Sequence, residues 1–244
     1  MDEWEQLQQQ IGECERCPRL RQYCALIAQR KRAAYRRWTY WGKPVPNFGS
    51  PEAELLIVGL APAAHGANRT GRMFTGDRSG DFLYRALYQT GFATQPHARD
   101  RSDGLQLRRV LITAVVHCAP PHNRPTAAEI AACRQFLERT LALMPRLRGV
   151  VALGQIAFQE CWRLFRARGW LPPGPRPSFA HGLLLHAAPH PFLLSSYHPS
   201  QQNTFTGRLT FEMLRDIFRR AAVLLQEPVE PVPEPGSTGT KRGG

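Results

Sequence analysis

Lysine is close to absent. It occurs only at Lys31, Lys43 and Lys241, although Lys and Arg together number 32. A side-chain amine able to form a Schiff base is therefore missing from most of the chain. Long apolar runs are also missing: none approaches the ~20 uncharged residues that a membrane-spanning helix needs, which excludes insertion. The opening Met-Asp-Glu-Trp-Glu is acidic and has no apolar core, so we expect no secretory leader and a cytoplasmic, nucleoid-associated protein. The Gly-rich segment 61–76 contains neither GxGxxG nor GxxxxGK followed by Ser or Thr, so a nucleotide cofactor and P-loop chemistry are unsupported. Acidic residues are few as well. With 19 Asp and Glu in 244 residues, the formal net charge is +13 and the pI about 10.3. That imbalance points to an anionic partner, nucleic acid before membrane.

What is present sharpens the point. Hydrophobic residues make up 43% of the chain and charged residues 21%, enough for one globular domain with a sizeable core. The basic residues are almost all arginine, the side chain suited to bidentate phosphate recognition. Between Arg16 and Pro51 nine basic residues occur with no acidic one, interleaved with Tyr23, Tyr35, Trp38, Tyr40 and Trp41. This reads as a phosphate-facing strip, the plainer alternative being a solvated basic helix and loop.

Residues 3–36 read as one or two helices, with a break near Pro18. Short apolar runs at 55–60, 110–116 and 149–153 read as buried strands, and 183–187 and 193–196 supply one or two more. Helices are expected between them: one from Ser79 to Tyr88, one opened by a Thr126/Glu129 capping box, one over 155–168, and a last over 209–226. The alternation predicts an α/β fold, a three-layer sandwich with a mostly parallel central sheet of about four strands flanked by helices. Residues 1–226 form a single domain in this reading. Residues 227–244, with four prolines and four glycines, read as a disordered tail. Without that tail the charge rises to +14, because three Glu and two basic residues leave with it. Segment 92–108 yields no reading.

Six cysteines in a chain without a secretory leader argue against disulfides. Cys14 and Cys17 form a CxxC, and Cys118 and Cys133 follow it in the pattern C-x2-C-x100-C-x14-C. Four thiolates so spaced would staple the N-terminal helices to the core around zinc or an iron–sulfur cluster. The alternative is that Cys118 and Cys133 are small buried hydrophobes. Cys24 and Cys161 fall in helical patterns and read as structural.

In parallel α/β sheets the working loops leave the carboxyl ends of the strands, so 61–77, 117–125 and 197–208 should converge. The first offers close-approach glycines at Gly59 and beyond, an aromatic at Phe74, and its only carboxylate at Asp77. The second offers the amide of Asn123, a donor–acceptor pair able to read a base edge. The third offers His198, then Ser200, Gln201, Gln202, Asn203 and Arg208. Singly, Asp77 could be a helix cap, His198 a turn histidine and Asn123 a turn former. Together they describe what hydrolysis of a base–sugar bond requires: a stacking ring, an amide reader, a water-positioning carboxylate and an imidazole for the leaving anion.

In this order the motifs resemble the iron–sulfur branch of the uracil-DNA glycosylase superfamily, in particular its type-5 (family 5) enzymes. The resemblance covers about residues 12–226. It rests on the Cys14/Cys17 pair, Lys43-Pro-Val-Pro, Gly59-Leu-Ala-Pro-Ala, Arg72-x-Phe74-Thr-Gly-Asp77, Cys118-Ala-Pro-Pro-x-Asn123 and His198-Pro-Ser200. It implies a structural [4Fe–4S] cluster on Cys14, Cys17, Cys118 and Cys133. It implies that Phe74 stacks on an extruded base, that Asn123 bonds its edge, that His198 supports its developing charge, and that 199–208 enters the duplex. Leu60 and Ala61 stand where most of the superfamily has a polar catalytic residue, and Asp77 is the natural substitute. The resemblance further implies tolerance of other deaminated bases, such as hypoxanthine and xanthine. With no lysine in the converging loops, a monofunctional glycosylase that leaves an abasic site is expected. The partner is then double-stranded DNA containing deaminated bases, with no membrane and no nucleotide cofactor, and the protein a monomer. The competing reading is a non-catalytic, metal-stapled nucleic-acid-binding protein.

Overall fold

A computed structural model describes residues 2–226; the tail expected over 227–244 lies outside the described residues. The chain begins with α1 (Glu3–Gly12), closed at its start by a reciprocal Asp2/Glu5 capping box, and α2 (Pro18–Arg30). Pro18 sits at the first turn of α2, where its missing N–H is not needed. The Cys14/Cys17 pair thus occupies the corner between the two helices. Six strands follow: β1 (Phe48–Gly49), β2 (Leu55–Gly59), β3 (Val110–Ala114), β4 (Gly149–Leu153), β5 (Leu184–Leu185) and β6 (Phe192–Ser196). Six helices accompany them: α3 (Ala67–Thr70), α4 (Arg78–Gln89), α5 (Ala127–Ala142), α6 (Gln155–Ala167), α7 (Gln201–Phe205) and α8 (Phe211–Leu224).

The sheet order is β1-β3-β2-β4-β6-β5. Its four central strands run parallel, and β1 and β5 pair antiparallel at the two edges. The sheet therefore has six strands where about four were expected. Both edge strands are only two residues long and half-buried; β5 falls in the run expected over 183–187, whereas β1, in a segment rich in Pro and Gly, carries no buried apolar run that would announce it. The four central strands are buried along their whole length, and successive side chains alternate between two cores. Leu56 and Val58 face α1, α2, α5 and α6 through Leu7, Leu20, Phe136, Phe158 and Phe165. Leu55 and Ile57 face α4 and α8 through Leu83, Tyr84, Leu214 and Phe218. Each such fully buried side chain contributes roughly 1.5–3 kcal/mol relative to an exposed one. The three-layer sandwich follows from that alternation.

The Thr126/Glu129 capping box is formed in full, with both reciprocal bonds present. The cap of α4 is not Ser79 but Asp77, whose side chain accepts from Gly80 N–H at 2.9 Å. Segment 92–108 is organised around one carboxylate. Asp103 accepts from the backbone N–H groups of Arg99 and Leu105 at 2.7 and 3.0 Å and from both terminal nitrogens of Arg72 at 2.9 and 2.7 Å. Burial alone would raise its pKa, but Arg72 and those N–H donors hold it down at about 2.

Candidate active site

The carboxyl ends of β2, β3 and β6 open into one cavity of about 810 Å³. It is lined by residues from all three loops expected to converge there, among them Ala61, Phe74, Asp77, Asn123 and His198. Gly59, the last residue of β2, lies beneath Phe74: a Cβ at this position would stand 2.7 Å from ring atoms Cε2 and Cζ. A close-packed aromatic at the strand end therefore requires glycine there. Phe74 itself has φ of 52°, a left-handed conformation that a bulky residue adopts only under constraint from its surroundings. Its ring centroid is 6.0 Å from that of His198.

Asp77 does two things at once. Oδ1 caps α4. Oδ2 rests on Gly66, where an added Cβ would stand 1.9 Å away, so residue 66 can only be glycine. Burial raises the Asp77 carboxyl above its ordinary value, against the opposing pull of the Gly80 and Ser79 N–H groups and of Arg69. The result is a carboxylate that is a stronger base than one in water. His198 follows β6 directly and is half-buried; burial lowers its pKa to about 4, so the imidazole is neutral near pH 7. Asn123 is exposed at the end of a 3₁₀ turn (Pro121–Asn123), and both it and His122 have positive φ.

The third loop departs from expectation. It holds a short helix, α7, capped by Ser200, whose Oγ accepts from Asn203 N–H at 3.4 Å. Ser200, Gln201 and Gln202 line the cavity. Asn203 and Arg208 do not: the Asn203 amide donates to the His198 carbonyl at 2.9 Å, and the Arg208 guanidinium lies 4.6 Å from the Tyr197 ring. Both support the His198 segment from behind. At the end of α7, Phe205 is 68% exposed, an apolar side chain in open solvent that the sequence reading did not single out.

The cavity also has lining residues that the sequence did not place there. Arg32 and Tyr35, from the basic strip, form one wall of the cavity together with His65. Tyr35 and Trp38, edge-on to one another, both pack on Arg69, with its guanidinium 3.9 and 4.2 Å from their ring centroids. The strip is therefore partly an internal brace. Arg19, from the same strip, is spent on an ion pair with Glu129 at 2.7 Å. Arg36 and Arg37 are exposed.

On the other face of the sheet, Cys14, Cys17, Cys118 and Cys133 line a second, small cavity with Leu20, Pro44 and His117. His117 donates through Nδ1 to the Val45 carbonyl at 2.7 Å, and its buried Nε2 has no partner among the described residues. An orphaned nitrogen and four thiols around one cavity suit a group bound between them. Among the described residues no three His, Cys, Asp or Glu side chains close around a point as a single ion would need. Four cysteine thiolates are the donor set by which proteins hold iron–sulfur clusters. Burial pushes the Cys133 thiol up to about 12, so only a bound cationic group would keep it as thiolate near neutral pH. Cys24 lies beside Cys118 with Sγ 3.6 Å from the Ala119 carbonyl, and Cys161 is buried in α6.

Residues 46–222 match the family model described as the uracil DNA glycosylase superfamily. The chain belongs to that superfamily. Within it, the chain is 51% identical over 215 residues to the type-5 uracil-DNA glycosylase of Mycobacterium tuberculosis, covering 88% of this chain and 79% of that protein. It is 46% identical over 209 residues to that of Pyrobaculum aerophilum (86% and 88%) and 46% over 213 residues to that of Thermus thermophilus (87% and 94%). Type-4 relatives are more distant: the enzyme of Archaeoglobus fulgidus is 35% identical over 123 residues, half of this chain. The superfamily match spans the whole sheet from β1 to β6 and most of α8. No helix among the described residues is long and apolar enough to cross a membrane.

Proposed function

We propose that the protein is a monofunctional DNA glycosylase that hydrolyses the N-glycosidic bond of uracil flipped out of double-stranded DNA and leaves an abasic site. Its relatives' names give the substrate class. The single observation that carries the reading here is the meeting of Phe74, Asp77, Asn123 and His198 in one cavity at the carboxyl end of the sheet.

Each group then has a task its surroundings suit. Phe74, wedged on Gly59, presents a rigid face on which an extruded base stacks. The Asn123 amide, exposed at the mouth, pairs with the edge of the base. His198, neutral because burial disfavours its cation, donates an N–H to the oxygen on which charge grows as the base leaves. Asp77 accepts a proton from the attacking water. The water oxygen bonds to C1′ of the sugar, the C1′–N bond breaks, and its electron pair leaves with the base. Phe205, exposed on α7 beside the Gln201/Gln202 wall, is the apolar side chain suited to filling the gap left in the stack. The exposed arginines of the basic strip, Arg36 and Arg37, meet phosphate.

No lysine lines the cavity, which favours direct hydrolysis over a Schiff-base route. Cys14, Cys17, Cys118 and Cys133 would hold a [4Fe–4S] cluster. Its contribution when bound is structural, tying the α1–α2 corner to β3 and α5. The cavity's volume exceeds what uracil needs, and hypoxanthine and xanthine are included among the proposed substrates; the protein works as a monomer. The test is a panel of duplexes bearing one uracil, hypoxanthine or xanthine, with borohydride present in a parallel set. Free base with no trapped protein–DNA adduct is expected; a covalent adduct would refute the monofunctional assignment.

A further inference from the structure

His65 lines the cavity in the turn between β2 and α3 and has no task in the reaction so far described. It is held from two sides. Its Nδ1 lies 3.0 Å from the hydroxyl of Tyr40, a buried residue whose ring stands edge-on to the imidazole at 6.0 Å and 84°. Its carbonyl accepts from Arg69 Nε at 2.8 Å. Arg69 is itself held, since its other arm donates to the Gly76 carbonyl at 2.8 Å and its guanidinium packs on Tyr35 and Trp38. Tyr40 is not a lining residue, and with Nδ1 engaged by its hydroxyl, Nε2 is the ring nitrogen left for a ligand in the cavity.

The residue after His65 is Gly66, the one on which Asp77 Oδ2 rests. His65 and the glycine on which Asp77 packs are therefore neighbours in the chain, and both His65 and Asp77 line the cavity. Asp77 has one oxygen left for the water, Oδ2, because Oδ1 is engaged by Gly80. A water that must attack in one direction needs a second acceptor to fix it. The charged and titratable groups facing His65 are Tyr40, Arg32 and Arg69, and Asp77 packs on the neighbouring Gly66. Burial first, and then Arg32 and Arg69, hold the imidazole below its ordinary pKa, hence neutral near pH 7.

We propose that His65 is a further catalytic residue of the base-release reaction, its Nε2 accepting one hydrogen of the attacking water while Asp77 accepts the other, with Tyr40 as the positioning residue. In this tautomer Nδ1–H donates to the Tyr40 oxygen and Nε2 keeps its lone pair. As the water oxygen bonds to C1′, the C1′–N pair departs with the base, one water proton passes to Asp77, and the other stays on the new sugar hydroxyl, hydrogen-bonded to Nε2. The inference rests on the glycosylase reading.

The experiment uses the full chain with its metal content as isolated. Uracil release is followed with enzyme in saturating excess over a uracil-containing duplex. Binding is measured separately on a duplex carrying a tetrahydrofuran abasic analogue. His65→Ala is expected to slow the saturated rate by about 100-fold and leave binding unchanged, the signature of a group acting on the reacting water. His65→Gln, which keeps a neutral acceptor, is expected to recover part of the loss. Tyr40→Phe is expected to slow the step by about tenfold through the freed ring. Saturated rates equal to wild type in His65→Ala, or a loss confined to binding, would overturn the proposal. If His65→Ala melts well below wild type, His65→Gln and Tyr40→Phe decide, and wild-type rates in both overturn it. Wild-type protein that releases no uracil would overturn the glycosylase reading itself; an active wild type with unaffected variants overturns only the role of His65.

Discussion

Replacing Asp77 by asparagine separates two jobs done by one carboxylate. The cap of α4 needs only an acceptor at Oδ1 for Gly80 N–H, and an asparagine amide supplies one. The reaction needs a base, and an amide is none. The side chain is also charged in a place that disfavours charge, since burial raises its pKa in the folded state. A carboxyl whose folded pKa is raised binds its proton more tightly folded than unfolded. Its ionised form therefore works against folding at pH 7, and that cost disappears as pH falls through the folded pKa. Each pK unit of that displacement corresponds to about 1.4 kcal/mol. Asp77→Asn is thus expected to keep or raise the melting temperature while slowing single-turnover base release by roughly 10²–10⁴-fold. Asp77→Ala should also lose the rate, but without the cap it should lose about 1 kcal/mol of stability. In a domain of this size that is about 2–4 °C in Tm. Thermal melts at pH 7 alongside enzyme-excess kinetics on a uracil duplex read both effects. Asp77→Asn melting as low as Asp77→Ala would refute the assignment of a buried-charge cost, and Asp77→Asn at the wild-type rate would refute the base.

Further outcomes follow from the same geometry. The saturated rate should fall tenfold per pH unit below the raised Asp77 pKa, and the residual rate of Asp77→Asn should lack that limb, because His198 stays neutral down to about 4; a pH profile of both proteins checks this. His198 has the opposite linkage to Asp77: with its folded pKa depressed, stability is lost as pH falls from its ordinary value near 6.5 to about 4 and levels off below, a loss that His198→Asn should not show in melts across that range. Gly59→Ala would place a methyl 2.7 Å from the Phe74 ring and should displace it, raising KM for uracil release and costing about 1–3 kcal/mol of stability. Cys133→Ser should lower iron and labile sulfide content and melt lower than wild type, whereas Cys161→Ser, away from the cysteine-lined cavity, should keep the iron; equal iron in both would count against the cluster.

The parts of the fold that were legible in the sequence share one property: their signals are local. The four central strands are buried on both faces, so each carries a short, mostly apolar run, and the Thr126/Glu129 box lies within three residues. β1 escaped because a two-residue, half-buried edge has no periodicity to detect. The start of α4 was misplaced by two residues because Asp77 and Ser79 are both good caps. The resemblance to the superfamily is borne out by the family match, and the loops that converge were read from strand order alone. What stayed hidden depends on partners distant in sequence. Segment 92–108 had no reading because its hub, Asp103, is fixed by Arg72, 31 residues away. His65 is singled out only by Tyr40, 25 residues upstream. The basic strip looked wholly outward-facing, yet its aromatics close over Arg69 and its Arg19 pairs with Glu129, because charges and rings find partners that only the fold brings near.

The central claim is that this cavity releases uracil by hydrolysis. Its most direct test is a labelled duplex with one uracil opposite guanine, incubated with the protein in EDTA and then treated with alkali. Strand cleavage at the uracil that appears only after alkali, and vanishes in Asp77→Asn, is the result expected. Binding to the duplex with no alkali-sensitive site would contradict the account.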